Sequence, residues 1–216
     1  MILERDGVIF NLKKIRRIMK KYELVPRVRK RKYKSYFFKD TTHKVAPNRL
    51  KQNFKIKTPG EAYSTDITYL PYNNGEKAYL SAVKDLCSKE VVQYSISKTM
   101  DVNLVVNGLS SFLENLPEAK RKRLLIHSDQ GAHYTSHFYR RILKKNKVKQ
   151  SMSRKGNCLD NAPIESFFGH LKDELDFKNC KNFAELKTEV DKYIKYYNNE
   201  RPQWGLKGKT PVECRG

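Results

Sequence analysis

The order of elements in this sequence predicts an α/β fold, a mixed five-stranded sheet flanked by helices, with a basic helical N-terminal extension. Three observations predict it. Short runs rich in Thr, Tyr, Ile and Val come first, and amphipathic segments then alternate with short apolar ones. A change of texture near residue 58 sets off a basic arm, because residues 1–57 hold 19 Lys or Arg against 4 Asp or Glu. Finally, Asp66, Asp129 and Glu165 each sit where a polar group needs a reason: on the first strand, at the end of the fourth, and on a late helix.

The elements follow in order. FNLKKIRRIMKKYEL has helical spacing, with Leu12, Ile15, Ile18 or Met19, and Tyr22 on one face and Asn11 as the cap. Pro26 ends that helix. Residues 25–57, including Arg29, Lys30, Arg31 and Lys32, are too charged to pack and read as a basic linker or, equally, as a solvated tail. AYSTDITYL is a strand by alternation, with Ser64, Asp66 and Thr68 on one side and Tyr63, Thr65, Ile67 and Tyr69 on the other. Asn74-Gly75 favours a hairpin into AYLSAVKDL, and VVQYSISK completes a meander. MDVNLVVNGLSSFLENL is a helix capped by Asp101. The apolar run of RKRLLIHSD suits a central, parallel strand. SHFYRRILKKN is a helix and KVKQSMS the last strand. NAPIESFFGHLKDEL is a helix with Asp160 as its cap ahead of Pro163, and Phe167 and Leu171 enter the core. NFAELKTEVDKYIKYYNNE is the last long helix. This β-β-β-α-β-α-β-α order describes a ribonuclease-H-like sheet, a topology that sets the middle of strand one beside the end of strand four. The expected domains are a helical segment over 1–24, the linker over 25–57, a core over 58–200 and a tail over 201–216.

The net charge of +22 speaks to partners and points to a polyanion, nucleic acid above all. A ribosome-associated or merely solvated basic protein is the alternative, and it has no need of clustered acids. No apolar run approaches the ~18–20 residues of a membrane span. MILERDGVIF is too short and too acidic for a signal peptide, so the cytoplasm is expected and no membrane partner. Cys87, Cys158, Cys180 and Cys214 are scattered without a C-x-x-C pair; they read as reduced thiols, with Cys87 in the core.

Acids that converge from separate elements make a site for hard divalent cations, Mg²⁺ or Mn²⁺, and two such ions can flank a phosphodiester. Thirty-five residues separate Asp129 from Glu165, and 62 separate Asp66 from Asp129. The structural alternatives are a salt-bridged strand Asp, a turn Asp before Gly131, and a solvated acidic helix face; Asp160 rivals Glu165 as the third acid. Arg154, Lys155 and Lys172 flank the site and are candidate phosphate contacts. His133 and His137 lack the third spaced ligand that zinc needs. Tyr193, Tyr196, Tyr197 and Trp204 read as packing residues.

At these residues the chain resembles a known family. YSTDITYL, HSDQGAHYTS, QSMSRKGNCLDNAPIESFFGHLKDEL and YYNNERPQWGLKGKTPVE occur in order, and the likeness spans residues 8–216. They resemble the second-reading-frame (OrfB) transposases of the insertion sequence three family, within the retroviral-integrase-like DDE superfamily. Tyr63 stands where that family usually has Trp. FNLKKIRRIMKKYEL resembles only the last helix of the helix-turn-helix-like region that precedes the core in the family. The resemblance implies a catalytic and metal-binding triad of Asp66, Asp129 and Glu165 with two Mg²⁺ or Mn²⁺ ions. It implies DNA cleavage and strand transfer on element ends and target DNA, in a homo-oligomer, with the upstream-frame (OrfA) product as a possible partner in a bacterial, nucleoid-associated setting. Two rivals remain: a truncated, non-catalytic DNA-binding regulator, and a ribonuclease H, against which the YYNNERPQWGLKGKTPVE tail argues.

Overall fold

The computed structural model of the chain describes residues 2–25 and 45–216. The chain divides into two units, residues 1–42 and 43–216. Arg29, Lys30, Arg31 and Lys32, the heart of the expected basic linker, lie outside the described residues.

In the first unit a short helix, α1 (Ile2–Arg5), precedes α2 (Leu12–Lys21). Asn11 caps α2 as expected: its Oδ1 accepts from the Lys13 backbone N–H at 2.9 Å, satisfying an orphan donor of the first turn. No residue of α2 is buried, and its apolar Leu12 and Ile18 remain exposed.

The second unit is built on one sheet. Its strands are β1 (Ala62–Tyr72), β2 (Glu76–Asp85), β3 (Val91–Ser97), β4 (Leu125–Ser128) and β5 (Lys149–Met152), in the spatial order β3-β2-β1-β4-β5. β1, β2 and β3 pair antiparallel, as a meander must, and β4 runs parallel to both β1 and β5. The β1–β2 turn places Asn73 and Asn74 at φ of 39° and 55° and Gly75 at 115°, conformations that Asn and Gly tolerate best. The helices that follow are α3 (Val102–Glu114), α4 (Glu118–Arg121), α5 (Ala132–Thr135), α6 (His137–Lys145), α7 (Ala162–Glu174), α8 (Phe183–Asn199) and α9 (Pro211–Arg215).

Alternation along the strands divides the core in two. Leu70, Tyr72, Leu80 and Ala82 turn to one face and pack against Ile164, Phe167 and Leu171 of α7 and Leu186, Val190 and Ile194 of α8. Tyr63 and Val83 turn to the other face, against Val105, Leu109 and Phe112 of α3 and Tyr139 and Leu143 of α6. Ile164, Phe167 and Leu171 are fully buried, and burial of each contributes roughly 1.5–3 kcal/mol. That packing fixes the rotation of α7 and so decides which way its first turn faces. α3 is capped by Asp101, whose Oδ1 accepts from Leu104 N–H at 3.1 Å. It lies so close to β3 that a Cβ on Gly108 would stand 2.8 Å from Ser95 Oγ.

Three features differ from the sequence reading. The described part of the expected linker, residues 45–57, straps onto the core. Leu50 is buried with Ala62 and Leu86, and Phe54 and Ile56 pack beside it. The Arg49 and Leu50 N–H groups both donate to Ser151 Oγ of β5, at 2.9 and 3.1 Å. The basic count of the arm hid these three apolar anchors. Trp204, expected to pack, is 83% exposed, because Leu206 takes the inward place of its single helical turn. Cys87 is only half-buried, since its neighbour Leu86 occupies the core. The tail folds back onto the core: α9 opens with a Thr210–Glu213 capping box, and Arg215 Nη1 meets Glu90 Oε1 at 2.9 Å.

Candidate active site

Asp66 lies in the interior of β1, the middle strand of the sheet. Asp129 is the first residue past β4. The parallel register pairs Ser64 with His127. Two residues further along stand Asp66, still within β1, and Asp129, just past β4, close enough for the charge of Asp129 to bear on Asp66. The sheet therefore brings the two acids together, although 62 residues separate them in the chain.

Their electrostatics reflect the crowding. The Asp66 carboxyl is pushed up to about 8, first by burial, then by the charge of Asp129 and, more weakly, by that of Glu165. Two influences oppose the shift: the Ile67 N–H, which donates to Asp66 Oδ1 at 2.8 Å, and the charge of Lys172. Burial also raises Asp129, against the Gly131 N–H, which donates to Asp129 Oδ1 at 2.9 Å, and the charge of His133. Tyr134, fully buried in α5, is raised well above the ordinary phenol range by burial and then by Asp66 and Asp129. It stays protonated, and its hydroxyl lies 3.5 Å from Thr65 Oγ1.

Glu165 is exposed in the first turn of α7. Inward-facing Ile164 and Phe168 flank it, and its charge reaches Asp66. Lys172, two turns along the same helix, has its ammonium 4.8 Å from the centre of the Tyr69 ring and lowers Asp66. The structure thus gathers Asp66, Asp129, Glu165 and Lys172 around the middle of β1 and the carboxyl end of β4. Among the described residues no three His, Cys, Asp or Glu side chains form a ready-made metal cluster. The chemistry of the donor set nevertheless suits a hard cation: two crowded carboxyls that each resist ionisation, with a third within electrostatic reach.

Arg154 is placed differently. Its Nε and Nη2 donate to Asp160 at 3.1 and 3.0 Å, so the guanidinium is engaged by that carboxylate. Lys155, its neighbour in the loop, is exposed. Asp160 is not the helix cap; Asn161 holds that position. Its buried carboxylate also accepts from Asn48 Nδ2, Gln52 Nε2 and the Arg154 backbone N–H, at 2.9, 2.7 and 2.8 Å. With those donors it cannot serve as a third acid, and Arg154 holds it far below the usual carboxylate range. His133 faces the Met100 carbonyl at 3.3 Å and His137 is exposed.

Sequence reasoning missed Gly131, Tyr134 and Lys84. A Cβ at Gly131 would stand 2.9 Å from Asp129 Oδ1, so glycine there lets the backbone reach the carboxylate. The D-x-G spacing was the available signal, and it reads equally well as a turn. Buried Lys84 donates to the Pro163 carbonyl at 2.9 Å and so holds the first turn of α7 from β2; nothing in its local sequence marks it.

Two family profiles, each described as Integrase core domain, match residues 57–158 and 146–211. A protein of Escherichia coli (strain K12), assigned to insertion sequence element IS150 as its transposase InsK, is 42% identical over 214 residues, covering 99% of this chain and 74% of that one. The transposase for insertion sequence element IS904 of Lactococcus lactis is 36% identical, over 98% of this chain and 83% of that one. Among solved structures, the HTLV-2 integrase catalytic core domain in complex with magnesium superposes with a TM-score of 0.53 at 18% identity, over 74% of this chain and 98% of that one. A chain of the simian T-cell lymphotropic virus intasome gives 0.57 at 15% identity, over 82% and 60%. The shared architecture is the ribonuclease-H-like fold of integrase cores.

Proposed function

Because the chain belongs to the insertion-sequence transposases that carry an integrase core domain, we propose that Asp66, Asp129 and Glu165 are its catalytic acids and that it cuts and joins DNA strands with divalent cations. The coarser reaction class, a polynucleotidyl transferase, follows from that membership. The observation that carries the finer reading is the crowding of Asp66 against Asp129, with the charge of Glu165 added. Structural ion pairing would lower such carboxyls; here they rise, and added positive charge would relieve them.

In this reading the three carboxylates hold Mg²⁺ or Mn²⁺, two ions in all, which supply Lewis-acid stabilisation to a phosphodiester under attack. The residues of the chain do the rest. β1 and β4 fix two acids on adjacent strands, and the inward packing of α7 aims its first turn at them. Lys172 and Lys155 contact phosphate oxygens beside the scissile bond, while Arg154 holds the loop through Asp160. Tyr134 packs beneath the acids as a protonated, desolvated floor and keeps water from that side. The same site serves twice, first for nicking at the element's end and then for attack by the freed 3′-hydroxyl on a second duplex. Element ends and target DNA are the substrates, a homo-oligomer assembled on DNA is the working form, and the upstream-frame product is a partner. Arg29, Lys30, Arg31 and Lys32 add phosphate contacts. The cytoplasm, at the nucleoid, is the setting. Among the described residues no helix is long and apolar enough to cross a membrane.

The test is strand cleavage of an end-labelled duplex carrying the element's terminus, in Mn²⁺, by wild type and by Asp129→Asn. The variant should bind the duplex at least as well and cut it at least ~10³-fold more slowly, a loss on the scale seen when charge-stabilising catalytic groups are removed. Equal cutting by the two proteins refutes the assignment. A wild type that binds but never cuts points to the non-catalytic regulator.

A further inference from the structure

Eight described cations gather away from the acids. Two basic runs lead into neighbouring strands: Lys120 to Arg123 stops one residue short of β4, and Lys144 to Lys149 ends on the first residue of β5. β4 and β5 are parallel, pairing Leu125 with Lys149 and Ser128 with Met152. Both runs therefore sit at the amino ends of these strands, whereas Asp129 follows the carboxyl end of β4. Four residues of β4 separate the two ends, ~13 Å at ~3.3 Å per residue.

Specific contacts join the runs into one surface. Arg121 Nη1 donates to Asn146 Oδ1 at 2.6 Å. Glu118, the one acid within either run or α4, sits between Lys122 and Lys147 at 3.1 and 3.5 Å. The Lys149 N–H donates to the Leu124 carbonyl at 3.0 Å, and Lys147 closes the end of α6 in the left-handed region, at φ 58°. Lys122, Arg123, Lys144, Lys145, Lys147 and Lys149 are all exposed. Cations on folded backbone, pinned across two connections and nearly free of counter-charge, differ from a solvated charge run on a tail.

We propose that this ridge is a second DNA-phosphate surface, one that holds duplex at the end of the parallel strands opposite the cutting site. The proposal rests on the reading of DNA as the substrate and adds where a further stretch of it lies. Its ligand is the phosphate backbone, recognised without regard to sequence, because the surface offers ammonium and guanidinium groups, and the amide of Asn146 is already engaged by Arg121 and the Ile142 carbonyl.

The experiment is the salt dependence of binding to a short mixed-sequence duplex, measured with the full chain in EDTA so that cutting plays no part. The variant is Lys144→Gln/Lys145→Gln/Lys149→Gln, whose three side chains are exposed. At ~0.9 per phosphate contact, the slope of log K against log salt should fall by about three. Thermal unfolding should be unchanged, and once duplex is saturating, cutting in Mn²⁺ should return to the wild-type rate. An unchanged slope overturns the proposal. So does an unchanged slope with loss of self-association in sedimentation, which would assign the ridge to protein contact. Failure of wild type to cut would overturn the catalytic reading alone, because the slope is read without cutting. Should the triple variant unfold, Lys149→Gln and Lys145→Gln singly must each lower the slope by about one; no change in either overturns the proposal.

Discussion

At the scale of single residues, the Asp66 carboxyl carries the most information. Its folded value stands at about 8 and its unfolded value near the usual ~3.9. Between those limits the folded chain keeps a proton that the unfolded chain has lost. The contribution to stability is full below pH ~4 and is lost as pH rises through about 8. Asp66→Asn should remove that decline. In EDTA, chemical denaturation at pH 5 and pH 8.5 should show wild type losing at least about 1 kcal/mol more than the variant; parallel losses would refute the crowded pair. Gly131 offers a second prediction. Gly131→Ala places a methyl 2.9 Å from Asp129 Oδ1, so cutting should fall at least tenfold with little change in melting temperature. An active Gly131→Ala protein would show that this approach is not needed. The acids were legible in sequence because each broke a pattern: a charge inside a strand, a charge ending an apolar run, an acid opening an amphipathic helix. Gly131 and Tyr134 were not, because a glycine after Asp and a tyrosine in a short helix break no pattern.

At the scale of elements, the strap and the loop before α7 act together through Asp160. Its buried carboxylate ties residues 48 and 52 to the loop at Arg154. Asp160→Ala strips a partner from each of these donors and should cost on the order of 3 kcal/mol by urea unfolding. Because the folded carboxyl is held low, that stabilisation is present above pH ~4 and lost as pH falls. A neutral Asp160→Ala change at pH 7 would contradict it. Lys84 gives the same sign at higher pH, from burial rather than from an ion pair. Burial, and then the charges of Lys89 and Arg201, lower its ammonium to about 7, while the unfolded chain holds that proton to ~10.4. Stability should therefore rise from pH 7 to 10, and Lys84→Met should flatten the rise; curves that stay parallel would argue against a desolvated amine. Strand and helix identities were legible from period and caps, as Asn11 and Asp101 show. The strap was not, because Leu50, Phe54 and Ile56 are spaced too irregularly among lysines to signal either a helix or a strand.

At the scale of the whole molecule, the order of elements was legible because each helix and strand carried its own periodicity, and a meander followed by parallel strands leaves few topologies open. The seam between arm and core was misplaced, since charge density falls near residue 57 while packing begins by residue 46, where the Ala46 N–H meets Met152 Sδ at 3.4 Å. Two truncations separate these boundaries. Removing residues 1–44 should weaken DNA binding and flatten its salt dependence while leaving the melting temperature of the core in place. Removing residues 1–57 should also lower that temperature, by several degrees, because Leu50 and the donors to Asp160 and Ser151 are lost with it. Identical melting of the two truncated chains would return the strap to the linker.

The pairing of Ser64 with His127 has a consequence for how the gene can change. Adding or deleting one codon between positions 62 and 66 turns Asp66 to the opposite side of its ribbon, and doing so between 125 and 129 displaces its neighbour alone. Frame-preserving length variation should therefore be lethal to cutting in those two windows yet tolerated in the Asn73–Gly75 bend, a contrast that a single-codon insertion library would display.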